Sequence, residues 1–151
     1  MTEKIPFMLN EEIPLIAVRV FLNARGPFNF VLDTGASMTI ASPTTARRAG
    51  LQLREAESAH SLGIDGKQEI RIVKAKYLCL GAAAASNLDI GVCSLRPIAR
   101  GTQMKLEGIL GYNFLRYFNI SIHYADRFLT LCRNDDPRLE TASRMPELSW
   151  K

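Results

Sequence analysis

The sequence predicts a mainly β fold with one or two short helices, and three observations support this prediction. Short apolar segments rich in β-branched residues recur along the chain, and several alternate apolar with polar residues as half-buried strands do. Clusters of Gly, Asn, Asp and Pro separate these segments, as turns require. One short segment, residues 42–50, combines a helix start signal with a helix stop signal.

Length and composition indicate one globular domain. The chain has 151 residues, of which 47% are hydrophobic and 23% are charged. A domain typically takes about 100–200 residues, and this composition argues against disorder, collagen and coiled coil. We place the domain at residues 1–132. Residues 133–151 are charged and contain Pro137 and Pro146, so we interpret them as a C-terminal tail.

The predicted strands follow one another closely. Residues 23–27 and 62–67 are glycine-containing turns, and each predicts a hairpin between the strands on either side of it. Residues 81–87 are small and predict a loop, whereas residues 112–118 predict a short helix. The candidate strands are, in chain order, residues 13–22, 28–32, 38–41, 69–78, 88–95, 118–124 and 128–132.

The helix predicted at residues 42–50 has a signal at each end. Ser42 is an N-cap residue, and Pro43 suits the first helical position because its missing N–H would have no partner there. Gly50 suits the position just after the helix. Arg47 and Arg48 lie in the last turn, where the helix dipole favours cations.

Charge, cysteines and terminal sequence exclude several classes of protein. The net charge is +4, but the basic residues are scattered, whereas a nucleic-acid-binding protein would concentrate them in a stripe. The three cysteines, Cys79, Cys93 and Cys132, are far apart and form no metal or redox motif, so we interpret them as small buried side chains in a reducing compartment. No signal peptide or membrane-spanning segment is visible. We therefore expect a cytoplasmic protein that binds neither nucleic acid nor membrane.

The segment that carries chemistry is an apolar strand running directly into Asp33. Thr34, Gly35, Ala36 and Ser37 follow. A carboxylate at the end of a buried strand costs free energy unless its surroundings stabilise it. Thr34 offers a hydroxyl that can fix the local backbone. Gly35 permits a close approach that a Cβ would block, and its N–H can bind a carboxylate.

Asp-Thr-Gly by itself is a weak signal, because Asp33 could simply open a turn. Two further apolar segments strengthen it, namely residues 38–41 and the block Ile109-Leu110-Gly111. With both blocks, the chain resembles the retropepsin-like aspartic proteases over roughly residues 13–132. The resemblance implies a single-lobe closed β-barrel or sandwich, with the second block packed beside the loop that carries the catalytic aspartate.

The resemblance also implies an activity, an assembly and a set of site residues. The activity would be hydrolysis of peptide bonds in a polypeptide substrate, without a metal or cofactor. Aspartic proteases need two carboxylates that share a proton, and the chain contains a single Asp-Thr-Gly. A homodimer with one Asp33 from each copy at its two-fold axis would supply both. Thr34 would then reach across the axis, and Ser37 stands where retroviral enzymes commonly have Asp. The flap over the substrate would comprise Leu62, Gly63, Ile64, Asp65 and Gly66.

Two other functions stay open from the sequence. The chain could be a non-catalytic interaction or dimerisation module with the same fold, or a half-enzyme that pairs with a different chain.

Residues outside the two blocks are weaker candidates for a chemical site. His60 and His123 have no nucleophile in a plausible arrangement, and the glycines around Asp65 lack the spacing of a phosphate-binding loop. The aromatic residues between 112 and 118 are expected in the core, and Leu32, Ile64 and Ile109 are candidate walls of an apolar substrate pocket.

Overall fold

The computed structural model describes residues 2–55, 57–63, 66–99 and 104–135 and has a mainly β fold. The strands of these residues are β1 (Ile5–Pro6), β2 (Met8–Leu9), β3 (Ile16–Leu22), β4 (Arg25–Leu32), β5 (Thr39–Ala41), β6 (Glu57–Gly63), β7 (Gly66–Leu80), β8 (Ala83–Val92), β9 (Gly108–Leu110), β10 (Phe118–His123) and β11 (Phe128–Arg133). The helices are α1 (Pro43–Arg48), α2 (Arg96–Ala99) and α3 (Tyr112–Leu115), with a 3₁₀ turn at Leu53–Glu55.

Six of the strands form a closed barrel. Their order is β3-β4-β9-β5-β8-β7, and a further pairing of β3 with β7 closes the ring. Most neighbours are antiparallel, but β9 runs parallel to β4, and β5 runs parallel to β8. Because parallel neighbours cannot be joined by a tight turn, β9 enters the barrel from a distant part of the chain. The expected closed β-barrel is confirmed.

A second, three-stranded sheet has the order β1-β11-β10. Strands β10 and β11 form a hairpin in which Phe118 lies opposite Arg133 and His123 lies opposite Phe128. Along β10 every second residue is exposed, beginning with Asn119, so the other face of the strand packs inward. This alternation is the pattern that predicted the strand from the sequence.

The hydrophobic core fills the barrel and continues under α3. Its largest fully buried side chains include three phenylalanines, Phe28, Phe30 and Phe114. Phe114 also packs against Phe118, with ring centroids 5.0 Å apart, and so connects α3 to the three-stranded sheet. The core therefore holds the segment that follows β9 in a fixed position relative to the barrel.

The predicted helix at residues 42–50 is confirmed with its caps. It comprises Pro43–Arg48, and the Ser42 hydroxyl accepts a hydrogen bond from the Thr45 N–H at 3.1 Å. Gly50 has φ +72°, the left-handed conformation that favours glycine after a helix. Local signals were sufficient here because each cap acts within one helical turn.

Several other boundaries differ from the sequence predictions. The loop predicted at residues 81–87 is wrong, because strand β8 begins at Ala83 and pairs with β7. Strand β3 begins at Ile16 rather than at residue 13, and the turn before β4 is confined to Asn23 and Ala24. Helix α3 ends at Leu115, well before residue 118. Strands β1, β2 and β9 and helix α2 were not predicted, and β6 was expected only as the first arm of the hairpin at residues 62–67. The described residues contain three helices.

The cysteines and the aromatic residues are only partly as expected. Cys79 is buried and Cys93 is half-buried, but Cys132 is exposed. Burial raises the pKa of both the Cys79 and the Cys93 thiol. Tyr112 is 53% exposed, so its assignment to the core is wrong. No helix among the described residues is long and apolar enough to cross a membrane.

Candidate active site

Asp33 lies immediately after strand β4, at one end of the barrel. The ladder between β4 and β9 pairs Leu32 with Leu110. It ends with a hydrogen bond from the Asp33 N–H to the Leu110 carbonyl oxygen at 3.0 Å. The buried strand thus fixes the backbone of Asp33, while its side chain is exposed. The free-energy cost expected for a buried carboxylate therefore does not arise in a single copy of the chain.

The loop after Asp33 is held by short hydrogen bonds. The Gly35 N–H donates to Asp33 Oδ1 at 2.9 Å, and the Ala36 N–H donates to the Asp33 carbonyl oxygen at 3.2 Å. The first of these bonds is the one expected from the Asp-Thr-Gly pattern. At the far side of the loop, the Tyr112 N–H donates to the Ala36 carbonyl oxygen at 2.7 Å. Thr34 and Ser37 are exposed, and Ala36 is partly buried.

Strand β9 passes between the two strands that flank the loop. It pairs with β4 on one side and with β5 on the other, where Ile40 lies opposite Ile109. Gly111, directly after β9, lies so close to the loop that a Cβ would be 2.5 Å from the Met38 carbonyl oxygen and 3.0 Å from the Ala36 carbonyl oxygen. The structure therefore brings the two sequence blocks, one around Asp33 and one at residues 109–111, into direct contact.

Two polar residues beside this contact were not predicted from the sequence. Thr39 is fully buried, and its hydroxyl accepts a hydrogen bond from the Gly111 N–H at 3.0 Å. The Thr39 N–H and hydroxyl both donate to Asn113 Oδ1 at 2.8 Å. The signal available in the sequence was an asparagine two residues after Gly111, in a segment expected to be a short helix.

The candidate flap is the hairpin of β6 and β7. Its backbone pairing continues to Gly63 opposite Gly66, with Leu62 opposite Lys67. Ile64 and Asp65 lie outside the described residues. The hairpin that the sequence predicted at this place is therefore present up to its last described pair, and its role over a substrate stays a prediction.

His123 lies away from the site, whereas Leu32 and Ile109, two of the suggested pocket walls, lie on the strands beside the Asp33 loop. His123 stacks on the Phe128 ring, with centroids 4.3 Å apart, in the three-stranded sheet. Of the suggested pocket walls, Leu32 is partly buried, Ile109 is buried and Ile64 is not described. Among the described residues, no three His, Cys, Asp or Glu side chains are grouped so that they could hold a metal ion. His60 has no described side chain.

A family model described as aspartyl protease matches residues 17–114, well over half of the chain. The chain belongs to this aspartyl protease family. The matched segment includes both Asp33 and Gly111, so the contact between the two blocks lies within it.

Comparison with solved structures supports the same assignment at the level of fold. The crystal structure of a retropepsin-like aspartic protease from Rickettsia conorii superimposes with a TM-score of 0.64. The superposition covers 87% of this chain and 92% of the Rickettsia chain, at 18% sequence identity. No curated protein sequence matches this chain significantly. This member of the aspartyl protease family thus has a retropepsin-like fold.

Proposed function

We propose that this chain is an aspartic endopeptidase whose active site forms at the two-fold axis of a homodimer, with Asp33 of each copy as the catalytic pair. The observation that carries the proposal is the exposed carboxylate of Asp33 on a loop that the barrel fixes through its backbone. The chain supplies one such loop, since it has a single Asp-Thr-Gly. A second copy supplies the other.

The chemistry of such a pair depends on its shared proton. Two carboxylates about 3 Å apart cannot both ionise, so one has a raised pKa and keeps its proton while the other is ionised. The ionised Asp33 takes a proton from water, and that water attacks the scissile carbonyl. The protonated Asp33 donates its proton toward the carbonyl oxygen. The C–N bond of the resulting tetrahedral intermediate then breaks. The Asp33 that took a proton from water gives it to the leaving amine, and the other Asp33 takes back a proton from a hydroxyl of the intermediate as the carboxyl product forms. No metal, cofactor or covalent intermediate takes part.

The residues after Asp33 have supporting roles in this proposal. The Gly35 N–H already binds Asp33 Oδ1, which leaves Oδ2 to face the partner carboxylate and the water. Thr34 is exposed next to Asp33, where its hydroxyl can bind the loop of the second copy. Ala36 and Ser37 complete the loop and support its backbone next to Asp33. The polypeptide substrate would lie between this loop and the hairpin around residues 62–66.

The test is a comparison of Asp33→Asn with a matched control. Asp126→Asn makes the same chemical change at an exposed aspartate in the turn between β10 and β11. Both proteins and the wild type are incubated with an unbiased peptide library between pH 3 and pH 7, and products are identified by mass spectrometry. We expect specific cleavage by the wild type and by Asp126→Asn, and none by Asp33→Asn.

Other outcomes select the alternatives. Cleavage that persists in folded Asp33→Asn would overturn the proposal. A wild-type protein that sediments as a dimer but cleaves nothing would favour a non-catalytic dimerisation module. A wild-type monomer without activity would favour a half-enzyme that needs a different chain.

A further inference from the structure

The proposed mechanism does not use buried Thr39 and half-buried Asn113, yet this pair touches the segment that holds the Asp33 loop. The Gly111 N–H donates to the Thr39 hydroxyl, and this hydroxyl donates in turn to Asn113 Oδ1. At the other end of its side chain, Asn113 Nδ2 donates to the Asp89 carbonyl oxygen at 2.7 Å. The result is a continuous chain of hydrogen bonds from Gly111 to strand β8.

The contacts on either side of Gly111 are the ones that fix the Asp33 loop. The preceding residue, Leu110, accepts a hydrogen bond from the Asp33 N–H at 3.0 Å, and the following residue, Tyr112, donates to the Ala36 carbonyl oxygen at 2.7 Å. A shift of Gly111 would therefore move both ends of the loop together. Between these two anchors the Gly111 N–H donates to the Thr39 hydroxyl, while the Gly111 carbonyl oxygen accepts from the Phe114 and Leu115 N–H groups of α3.

The chemistry of the site requires an amide at position 113. The oxygen of this side chain accepts two hydrogen bonds, from the Thr39 N–H and hydroxyl, while its nitrogen donates one to a carbonyl oxygen. An apolar side chain would leave two donors and one acceptor without partners, which costs about 1–3 kcal/mol for each buried group. A carboxylate could accept both bonds from Thr39, but it would face the Asp89 carbonyl oxygen without a proton to donate.

We propose that Asn113, acting through Thr39, is a positioning residue that sets the place of the Asp33 loop against strand β9. The effect on peptidase activity rests on the proposed function. The structural step, from the amide of Asn113 to the backbone of the loop, does not.

The sharpest variant is Asn113→Asp, because its defect depends on pH. When the new carboxyl group is protonated, its hydroxyl can donate to the Asp89 carbonyl oxygen as the amide does. When it is ionised, this bond is replaced by repulsion between the carboxylate and the Asp89 carbonyl oxygen, so the defect follows the pKa of the new carboxyl. The defect should therefore be small at low pH and grow as the pH rises through that pKa.

Among the described residues, only a small number of charged or titratable groups lie near position 113, so other titrations contribute little to the pH dependence of Asn113→Asp. The Asp89 carboxylate on β8 is paired with Lys74 at 2.7 Å. Strand β5, with residues 39–41, has no ionisable side chain, and the one on β10 is His123 at its far end. On α3 and just after it, Tyr112 lies beneath the Arg116 guanidinium, 5.6 Å from the ring centroid. Measurements at each pH are therefore referred to wild-type protein at the same pH.

The readout is residue-resolved amide hydrogen exchange at pH 4 and pH 7. The informative amides are those of Asp33, Gly111 and Tyr112, because their hydrogen bonds anchor the loop. In Asn113→Asp at pH 7 we expect them to exchange about tenfold faster or more than in the wild type, as for the loss of one buried hydrogen bond. At pH 4, where more of the new carboxyl is protonated, we expect this difference from the wild type to shrink. Equal protection in variant and wild type at both pH values would overturn the proposal.

Leu129→Ala is the matched destabilised control. Leu129 is fully buried in the three-stranded sheet and makes no contact in the hydrogen-bond chain of Asn113. It should lower global stability without selectively exposing the three anchoring amides. If Leu129→Ala exposes them as much as Asn113→Asp does at equal global stability, the role of Asn113 is only structural and the proposal fails.

A second pair of variants applies if Asn113→Asp does not fold at pH 7. Thr39→Val keeps the shape of the side chain but removes its hydroxyl, whereas Thr39→Ser keeps the hydroxyl. We expect the three amides to exchange faster in Thr39→Val and nearly normally in Thr39→Ser. Equal exchange in the two variants would overturn the proposal.

Peptidase kinetics separate this inference from the proposed function. If the wild type cleaves peptides, Asn113→Asp should lower kcat roughly 10- to 100-fold at pH 7 with little change in KM, as expected for a misplaced catalytic group. The loss should shrink toward pH 4. If the wild type has no activity, the proposed function fails, while the exchange measurements still decide whether Asn113 positions the loop.

Discussion

At the scale of single residues, the two glycines of the site have different surroundings. A Cβ on Gly111 would be 2.5 Å from the Met38 carbonyl oxygen, which is backbone and cannot move cheaply. A Cβ on Gly35 would meet only Asp33 Oδ1, at 3.3 Å, in one copy of the chain. Within a single copy, then, the fold requires glycine at 111 but has room for alanine at 35. Within one copy no group approaches Gly35 as closely as Met38 approaches Gly111, so the close approach expected at Gly35 from the sequence stays a prediction.

This contrast predicts different effects for the same substitution. Gly111→Ala should lower the free energy of unfolding by about 1–3 kcal/mol, the usual cost of overpacking. Gly35→Ala should leave it within about 0.5 kcal/mol, as surface substitutions do. Urea denaturation of both variants at a concentration that keeps the protein monomeric measures the difference. A loss for Gly35→Ala as large as that for Gly111→Ala would show that the loop is tighter in one copy than these distances indicate.

The three cysteines should react in a defined order. Burial raises the pKa of the thiols of Cys79 and Cys93, so the reactive thiolate is a smaller fraction at any given pH, and Cys79 is also only 3% exposed. Cys132 is exposed. Because the thiolate is the nucleophile, iodoacetamide at pH 7–8 should modify Cys132 first, and the other two only as the pH rises or the protein unfolds. Peptide mapping checks this order, and Cys132→Ser should abolish the fast phase.

At the scale of secondary-structure elements, Glu107 joins three of them just before strand β9. It is 8% exposed; its Oε1 accepts from the Asn29 N–H at 3.2 Å, and its Oε2 pairs with Arg48 at 3.1 Å. The Glu107 carbonyl oxygen also accepts from the Ser42 N–H at 3.1 Å. One residue thus connects β4, α1 and the start of β9. The end of β9 opposite the Asp33 loop is fixed in this way.

Removing this side chain should cost more than removing a surface acid. Glu107→Ala leaves the Asn29 N–H without its partner in a partly buried place, so the free energy of unfolding should fall by about 1–3 kcal/mol. Glu11→Ala is the matched control, because its pair with Arg127 is exposed and such pairs contribute at most about 1 kcal/mol. Thermal or urea denaturation of both variants measures this. Equal losses would mean that the Glu107 pair contributes no more than a surface ion pair.

Some secondary-structure elements are determined by their own residues, whereas others depend on the strand with which they pair. Helix α1 was predicted with its N-cap and its terminal glycine, because each signal acts within a few residues of the chain. Strand β8 was placed too late, because its first half consists of small residues with weak strand preference. It becomes a strand by pairing along β7, where Cys79 lies opposite Ala84 and Tyr77 lies opposite Ser86. Pairing with the preceding strand, rather than the strand preference of its own residues, determines such a segment.

At the scale of the whole molecule, some residues of the candidate site could be predicted from local motifs, and others come together only in the folded chain. Asp33 and Gly111 were predicted because each belongs to a compact motif. Asn113 and Thr39 were not, since they are 74 positions apart and their relation exists only once β5 and α3 pack together. The proposed function adds one requirement at this scale. Because this sequence has a single Asp-Thr-Gly, the proposed catalytic pair needs a second chain.

That requirement predicts how mixtures of wild type and Asp33→Asn behave. If two Asp33 side chains form each site, a mixed dimer contains one carboxylate and one amide and cannot share a proton as the mechanism requires. After equal amounts of the two proteins have exchanged subunits, only about one quarter of the dimers would carry two wild-type chains. Activity should then be about half of that from the same wild-type protein alone, and it should fall further with more Asp33→Asn. Peptide cleavage is measured after equilibration, with Asp126→Asn in place of Asp33→Asn as the control. Activity that stays proportional to wild-type protein, in mixtures whose subunit exchange is verified by mass spectrometry of labelled chains, would contradict a shared site.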